Sequence, residues 1–154
     1  ALETVVADRL TAVGASAFAY CVSLAEISEE KIETIGTQGF YGCVSLTELN
    51  LAAIRTIGDY AFLQALTLKN VTIGSAVEKI GKNAFAYANA NGEEGTVLTV
   101  TFLGTTVPEF GEEIFKEVAA LEIVVADEAT KTAFAAALEA YAEYIVVASA
   151  AAAA

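Results

Sequence analysis

Two cysteines in matching contexts are the first residues that could carry chemistry. Cys21 lies in VGASAFAYCVSL (residues 13–24) and Cys43 in IGTQGFYGCVSL (residues 35–46). If these segments lie side by side, their Cα atoms are about 5 Å apart, which a disulfide can bridge. A buried cysteine also packs as a small apolar residue, the role we favour here. Zinc is disfavoured, because two cysteines without histidine leave its tetrahedral site incomplete.

Adjacent carboxylates are the second candidates, and the chain carries four such pairs. They are Glu29-Glu30, Glu93-Glu94, Glu112-Glu113 and Asp127-Glu128. Two carboxylates can hydrolyse a glycoside when a cleft holds them about 5–9.5 Å apart, a geometry that neighbours on a loop do not supply. The chain has no histidine, the commonest general base and metal ligand. We therefore expect solvated turns, no catalytic residue and no cofactor.

The segment NANGEEG, residues 89–95, is rich in oxygen-bearing side chains that could hold calcium. It lacks the alternating acidic positions and the final bidentate glutamate of an EF-hand loop. Asn-Gly is also a common turn sequence. We predict a structural insertion near residues 89–96.

The charge of the chain excludes two classes of partner. Its 20 acidic and 8 basic residues give a net charge of −12. Nucleic acids and anionic membranes both attract basic surfaces, so neither is expected to bind. No apolar run reaches the roughly 18 residues needed to cross a bilayer, so we expect no membrane insertion. The negative charge favours basic protein partners.

A repeat of 22 or 23 residues accounts for the matching cysteine segments. A β-branched residue followed by glycine recurs at Val13-Gly14, Ile35-Gly36, Ile57-Gly58 and Ile80-Gly81. Phenylalanine follows at a constant offset, at Phe18, Phe40, Phe62 and Phe85. Three residues later stands a small residue: Cys21, Cys43, Ala65 or Ala88. Alanine thus replaces cysteine in two units, which favours the structural role.

Each unit predicts its own local structure. Leucine followed by alternating apolar residues predicts a strand with one buried face. Glycine after the β-branched residue predicts a bend, and the spacing of three in Ala-Phe-x-x-Cys predicts one helical or 3₁₀ turn. Because a single unit cannot bury its own apolar face, the units must stack, building ladders of phenylalanine, leucine and the small residues.

Partial units flank the four clear ones. Leu2 and Val5 match the end of an earlier unit, and Val97, Val100 and Phe102 match the closing strand of unit four. Phe110-Gly111 and Ile114-Phe115 then occupy the places of the β-branched-Gly and Ala-Phe dipeptides in a degenerate fifth unit.

The pattern Ile-Gly-x-x-Ala-Phe-x-x-Cys-x-x-Leu-x-x-Ile-x-Ile resembles the BspA-type leucine-rich repeat of bacterial surface proteins, over roughly residues 2–126. The resemblance implies an α/β solenoid: a right-handed leucine-rich-repeat superhelix of short strands and helical turns, capped by a C-terminal helix. We expect about five repeat units in residues 1–126, the first of them partial. A capping helix and end strand would follow in 127–147, with a tail in 148–154.

The capping helix has its own signals. Asp127 can serve as the N-cap, and Glu128 favours the first turn through the helix dipole. Phe134, Leu138 and Tyr141 form one apolar stripe that could cover the last repeat unit.

The remaining candidate is a surface. On each strand the residue between the two inward positions points outward, and acidic or amide residues flank it. This predicts a protein-binding face made of Glu26, Ser28, Glu48, Asn50, Asn70, Thr72 and Thr101.

With the resemblance, this face implies a monomeric, non-enzymatic recognition and adhesion module at the cell surface or secreted. Its partner would be a host extracellular protein or a protein on a neighbouring cell. The alternative is a structural spacer or an engineered repeat scaffold without a specific ligand, because the face carries no aromatic or arginine hot spot.

Overall fold

The computed structural model describes residues 1–91 and 93–149, and its regular elements are mostly short strands. Gly92 of the predicted insertion and residues 150–154 of the predicted tail lie outside the described residues. The strands are β1 Thr4–Val5, β2 Ala12–Val13, β3 Glu26–Ile27, β4 Thr34–Ile35, β5 Glu48–Leu51, β6 Thr56–Ile57, β7 Asn70–Ile73, β8 Lys79–Ile80, β9 Leu98–Phe102, β10 Glu109–Phe110, β11 Leu121–Val125 and β12 Ile145–Val147. The helices are α1, Glu128–Ala137, and a 3₁₀ helix, Glu139–Tyr144.

All strand pairs are parallel, and most strands pair with their counterparts in the neighbouring repeats. Sheet I has the order β5-β7-β9-β11-β12, and sheet II has the order β2-β4-β6-β8-β10. β1 and β3 form a separate pair. We number the repeats as coil 1 (residues 13–34), coil 2 (35–56), coil 3 (57–79), coil 4 (80–109) and coil 5 (110–126).

The core between the sheets is built from ladders, as the repeat predicts. The rings of Phe18, Phe40, Phe62 and Phe85 stack with centroids 5.2 Å apart at each step. Phe115 of the degenerate fifth unit continues the stack at 5.8 Å. Leu24, Leu46 and Leu68 form a second ladder, in which every side chain is fully buried.

The predicted helical turn of each repeat is wrong: these segments form successive β-turns. In coil 1, Ala17 N–H donates to Gly14 O (3.2 Å) and Cys21 N–H donates to Phe18 O (3.1 Å). Tyr20 has a left-handed φ of 59°. The intervening amides donate to coil 2 instead, for example Phe18 N–H to Gly39 O at 2.9 Å. Because alternate amides bond to the next coil, they cannot form the bonds of a helix.

The predicted reason for the repeated glycine is also wrong. A Cβ on Gly58 would lie 2.6 Å from the carbonyl carbon of Gly36, so the backbones of adjacent coils meet there. A Cβ on Gly14 would meet nothing within 4 Å. The glycine therefore allows close approach between coils rather than a bend.

The C-terminal helices cover coil 5. Asp127 caps α1, with its carboxylate accepting a 2.8 Å bond from Thr130 N–H. The buried ring of Phe134 packs edge-on against Phe110 of coil 5, with centroids 5.8 Å apart, and against Phe102 of coil 4 at 4.9 Å. Tyr141, in the 3₁₀ helix, meets Phe115 at 5.3 Å and so closes the phenylalanine stack.

Candidate functional site: the outer face of sheet I

The outer face of sheet I carries two rows of aligned polar residues. Glu48 pairs in register with Asn70, and Asn50 pairs with Thr72, which in turn pairs with Thr101. The amide of Asn70 donates to the Glu48 carboxylate at 3.3 Å. The alternating residues between the rows are buried. Parallel strands lie about 4.8 Å apart, so each row is a regular ladder of polar groups.

Two of the predicted face residues, Glu26 and Ser28, do not lie on sheet I. Glu26 belongs to β3, which pairs only with β1 among the described strands. Ser28 follows the end of β3 and is partly buried, with its N–H donating to Val5 O at 3.0 Å. The structure therefore brings together five of the seven predicted residues, on β5, β7 and β9.

Glu29 explains why the sheet breaks between β3 and β5. Glu29 lies five residues after the ladder residue Leu24. The equivalent positions in coils 2 and 3 are the buried residues Leu51 and Ile73. A carboxylate is costly to bury, so β3 ends at Ile27. Glu29 turns toward coil 2 and accepts the Asn50 N–H at 2.9 Å. That amide would otherwise bond to a β3 carbonyl.

A cleft of about 350 Å³ lies at this break. It is lined by Ala25, Glu26, Ile27, Glu29, Thr47 and Glu48.

The structure adds Thr99 and Glu122 to the face. Thr99 pairs with Asn70 and with Glu122, which extends the row of Glu48 across four strands. The alternation around Val100 is the sequence signal that could have found Thr99. The Asn50 row instead ends at the apolar Val124 on β11.

The cysteines lie in the core, away from this face. Both are free thiols: Cys43 is buried and Cys21 is partly buried. Cys43 Sγ donates to Phe18 O at 3.1 Å. Burial, with a smaller contribution from Cys21, raises the pKa of Cys43 to about 12. A thiol with that pKa is un-ionised at neutral pH and therefore a poor nucleophile.

Three of the four acidic pairs have a member with a structural partner: Glu29, Glu113 and Asp127. Lys116 bonds to Glu113 at 3.1 Å and lowers the pKa of that carboxyl. The Thr130 amide lowers the pKa of Asp127. Both shifts are opposite to the raised pKa that a general acid needs.

Neither a metal centre nor a membrane span emerges from the part of the chain that the structure describes. Within residues 1–91 and 93–149, no three Cys, Asp or Glu side chains are grouped so that they could hold a metal ion. In the predicted insertion, Asn89 instead donates to Thr96 O at 3.1 Å, closing a local loop. No helix in the same residues is long and apolar enough to cross a membrane.

The repeats match a known family. The BspA type leucine rich repeat region matches residues 2–122 in six copies. The chain belongs to the BspA-type leucine-rich repeat family. The six copies correspond in number to the partial unit at β1 and coils 1–5. Leucine-rich repeats of this family are typically non-enzymatic modules.

Among solved structures, the chain is similar to "The Crystal structure of Pneumococcal vaccine antigen PcpA". The two chains share 22% sequence identity with a TM-score of 0.56. The match covers 79% of this chain and 29% of that one, so it concerns the repeat fold alone. No curated protein matches the chain.

Proposed function

We propose that this protein is a monomeric, non-enzymatic recognition module that binds a host extracellular protein or a protein on a neighbouring cell. The binding surface is the outer face of sheet I, and the module acts at the cell surface or in secreted form. The observation that carries this proposal is the alignment of polar rows on a sheet whose other side is a fully packed core.

The alignment matters because the face is preorganised. Strand residues backed by buried neighbours lose little further backbone freedom on binding, which lowers the cost of association. Carboxylates at Glu48 and Glu122 favour basic groups on the partner and speed encounter with them. The uniform parallel pairing further supports a right-handed solenoid, as in the resemblance that the sequence shows. The structural neighbour is described as a vaccine antigen, which supports an exposed location.

An array of purified extracellular-matrix and cell-surface proteins tests this proposal. The variant Asn50→Lys/Thr72→Lys places two cations on the sheet I face. Its matched control is Thr34→Lys/Thr56→Lys, since these threonines are paired neighbours on sheet II. We expect the first variant to lose at least about tenfold in affinity for a partner that the unmodified chain binds. The control should bind like the unmodified chain, also at high salt.

Equal affinities of the two variants would exclude sheet I as the binding face. Absence of binding to every protein in the array would favour the structural spacer.

A further inference from the structure

The turns of coils 1–3 form a surface without charge, on a different part of each coil from sheet I. Residues 10–25, 34–47 and 60–68 contain no Asp, Glu, Lys or Arg, although the chain carries 28 such residues, 20 acidic and 8 basic. In coil 5 the corresponding turn carries Glu113 and Lys116. The corresponding turn of coil 4, residues 83–91, is also without charge, so the neutral region extends over coils 1–4 and ends at coil 5.

Large apolar side chains occupy this neutral region, and we call them the turn patch. They are Tyr20, Val22, Tyr41, Val44, Leu63 and Leu66. Tyr20 is 63% exposed and Val22 is 52% exposed, and the other four are partly exposed.

The turn patch is continuous from coil to coil. Tyr20 N–H donates to Tyr41 O, and the two rings lie 4.8 Å apart. Ser45 Oγ donates to Val22 O at 2.6 Å, and Thr67 Oγ donates to Val44 O at 2.7 Å. These bonds occupy the hydroxyl groups of Ser45 and Thr67, which lie beside the apolar side chains of the patch.

The backbone conformation at Tyr20 is a property of the repeat, and the residue type there varies from coil to coil. Tyr20 has a φ of 59°, and the equivalent position in coil 2 is Gly42, with a φ of 70°. A left-handed conformation is unfavourable for a residue with a bulky side chain and easy for glycine. Gln64, Tyr87 and Glu117 take the same conformation in coils 3, 4 and 5, with φ of 61°, 56° and 56°. The fold therefore accepts glycine or a polar residue at this position, and coil 1 presents an exposed tyrosine there.

We propose that the turn patch is a docking surface for a partner protein whose contact region is apolar at its centre and lined by Lys or Arg. An exposed apolar cluster with tyrosine and without charge has the composition of an interface core. Six charged residues border the three neutral segments in the sequence, and four of them are acidic: Glu26, Glu33, Glu48 and Asp59, against Arg9 and Lys69. The border is mainly negative and the net charge is −12, so the complementary rim is basic. A second copy of the chain would bring another 12 negative charges and is disfavoured.

The test uses a fluorescent 12-residue peptide of alternating leucine and lysine as a probe, with a serine–lysine peptide as its polar counterpart. Val22→Asp should weaken binding of the leucine–lysine peptide at least about tenfold. Attraction by charge alone would give the opposite sign, because this substitution adds a negative charge. Leu103→Asp is the matched control, since Leu103 is 56% exposed and follows β9. It should leave binding unchanged.

A second variant separates docking from folding. Tyr20→Gly relieves the left-handed tyrosine, so binding should weaken several-fold without a fall in thermal midpoint. The proposal is overturned if Val22→Asp binds the leucine–lysine peptide as tightly as the unmodified chain does, or if Leu103→Asp weakens this binding as much as Val22→Asp. It is also overturned if the serine–lysine peptide binds with the same affinity as the leucine–lysine peptide. It is also overturned if sedimentation shows a dimer that Val22→Asp dissociates, because the occupant would then be a second copy.

Discussion

Replacing Glu29 with leucine is expected to join β3 to β5 and extend sheet I by one coil. Glu29 stands where coils 2 and 3 bury Leu51 and Ile73, which are 1% and 0% exposed. A leucine there can turn inward, which lets the strand after Ile27 continue. The Asn50 N–H would then exchange the Glu29 carboxylate for a backbone carbonyl.

The size of the effect follows from the groups that change environment. Full burial of a leucine contributes about 1.5–3 kcal/mol, and each restored ladder hydrogen bond adds about 0.5–1.5 kcal/mol. The lost bond from Asn50 to Glu29 offsets one of them. By the register of β1 and β3, the neighbour on the open side is Ala7, which is small and leaves part of the leucine uncovered. We expect a net stabilisation of about 2 kcal/mol, or about 6 °C in Tm for a chain of this size.

Urea denaturation followed by circular dichroism measures the stability, and amide hydrogen exchange at β3 and β5 reports whether the strands pair. Glu29→Gln is a control that keeps the acceptor, so it should leave both readouts near those of the unmodified chain. Glu30→Leu adds the same side chain at an exposed neighbouring position and should give no gain. A Glu29→Leu variant that is no more stable than the unmodified chain, or a Glu30→Leu variant that is stabilised equally, would refute this role of Glu29.

Two further predictions concern the core. Phe62→Ala should lower the free energy of unfolding, measured with denaturant, by about 4 kcal/mol, and Phe18→Ala should lower it by about half of that. Phe62 is fully buried between two rings, whereas Phe18 is partly buried and stacks on one ring. Equal losses in the two variants would refute the stabilising role of the phenylalanine ladder. Because the pKa of Cys43 is raised from 9.0 to about 12, the native chain should resist thiol reagents at Cys43 at pH 8 until it unfolds. The contribution of the protonated Cys43 thiol to the free energy of unfolding should be fully present below about pH 9 and should fall as the pH rises toward 12. Cys43→Ala should remove this part of the pH dependence of stability. Rapid labelling of Cys43 in the native chain would contradict the burial argument.

The sequence predicts the repeat, its buried ladders and the polar rows of β5, β7 and β9, because the same pattern of residue types recurs in each repeat unit. A buried row requires an apolar residue at one position in every unit, so the residue types alone reveal the row. The sequence also predicts the N-cap at Asp127, because an N-cap depends on residues within one helical turn.

Other features required the stacked coils. A spacing of three residues suits a helical turn and a series of β-turns alike, and the choice depends on whether the amides bond within the coil or to the next one. The repeated glycine is visible in the sequence, but the reason that glycine is needed there is a backbone contact between adjacent coils, which involves residues about 22 positions apart in the chain.

The sequence by itself determined that this chain is a stack of BspA-type repeats with a phenylalanine core, because the periodic residues are local to each unit. Only the tertiary structure decided where the proposed binding surfaces begin and end. The sequence alone does not distinguish Glu29 from the other glutamates. The register of the coils shows that Glu29 occupies an inward-facing position, where it interrupts sheet I. The residues of the turn patch come from three coils, and only stacking brings Tyr20 and Tyr41 into contact and leaves a neutral surface between charged ones.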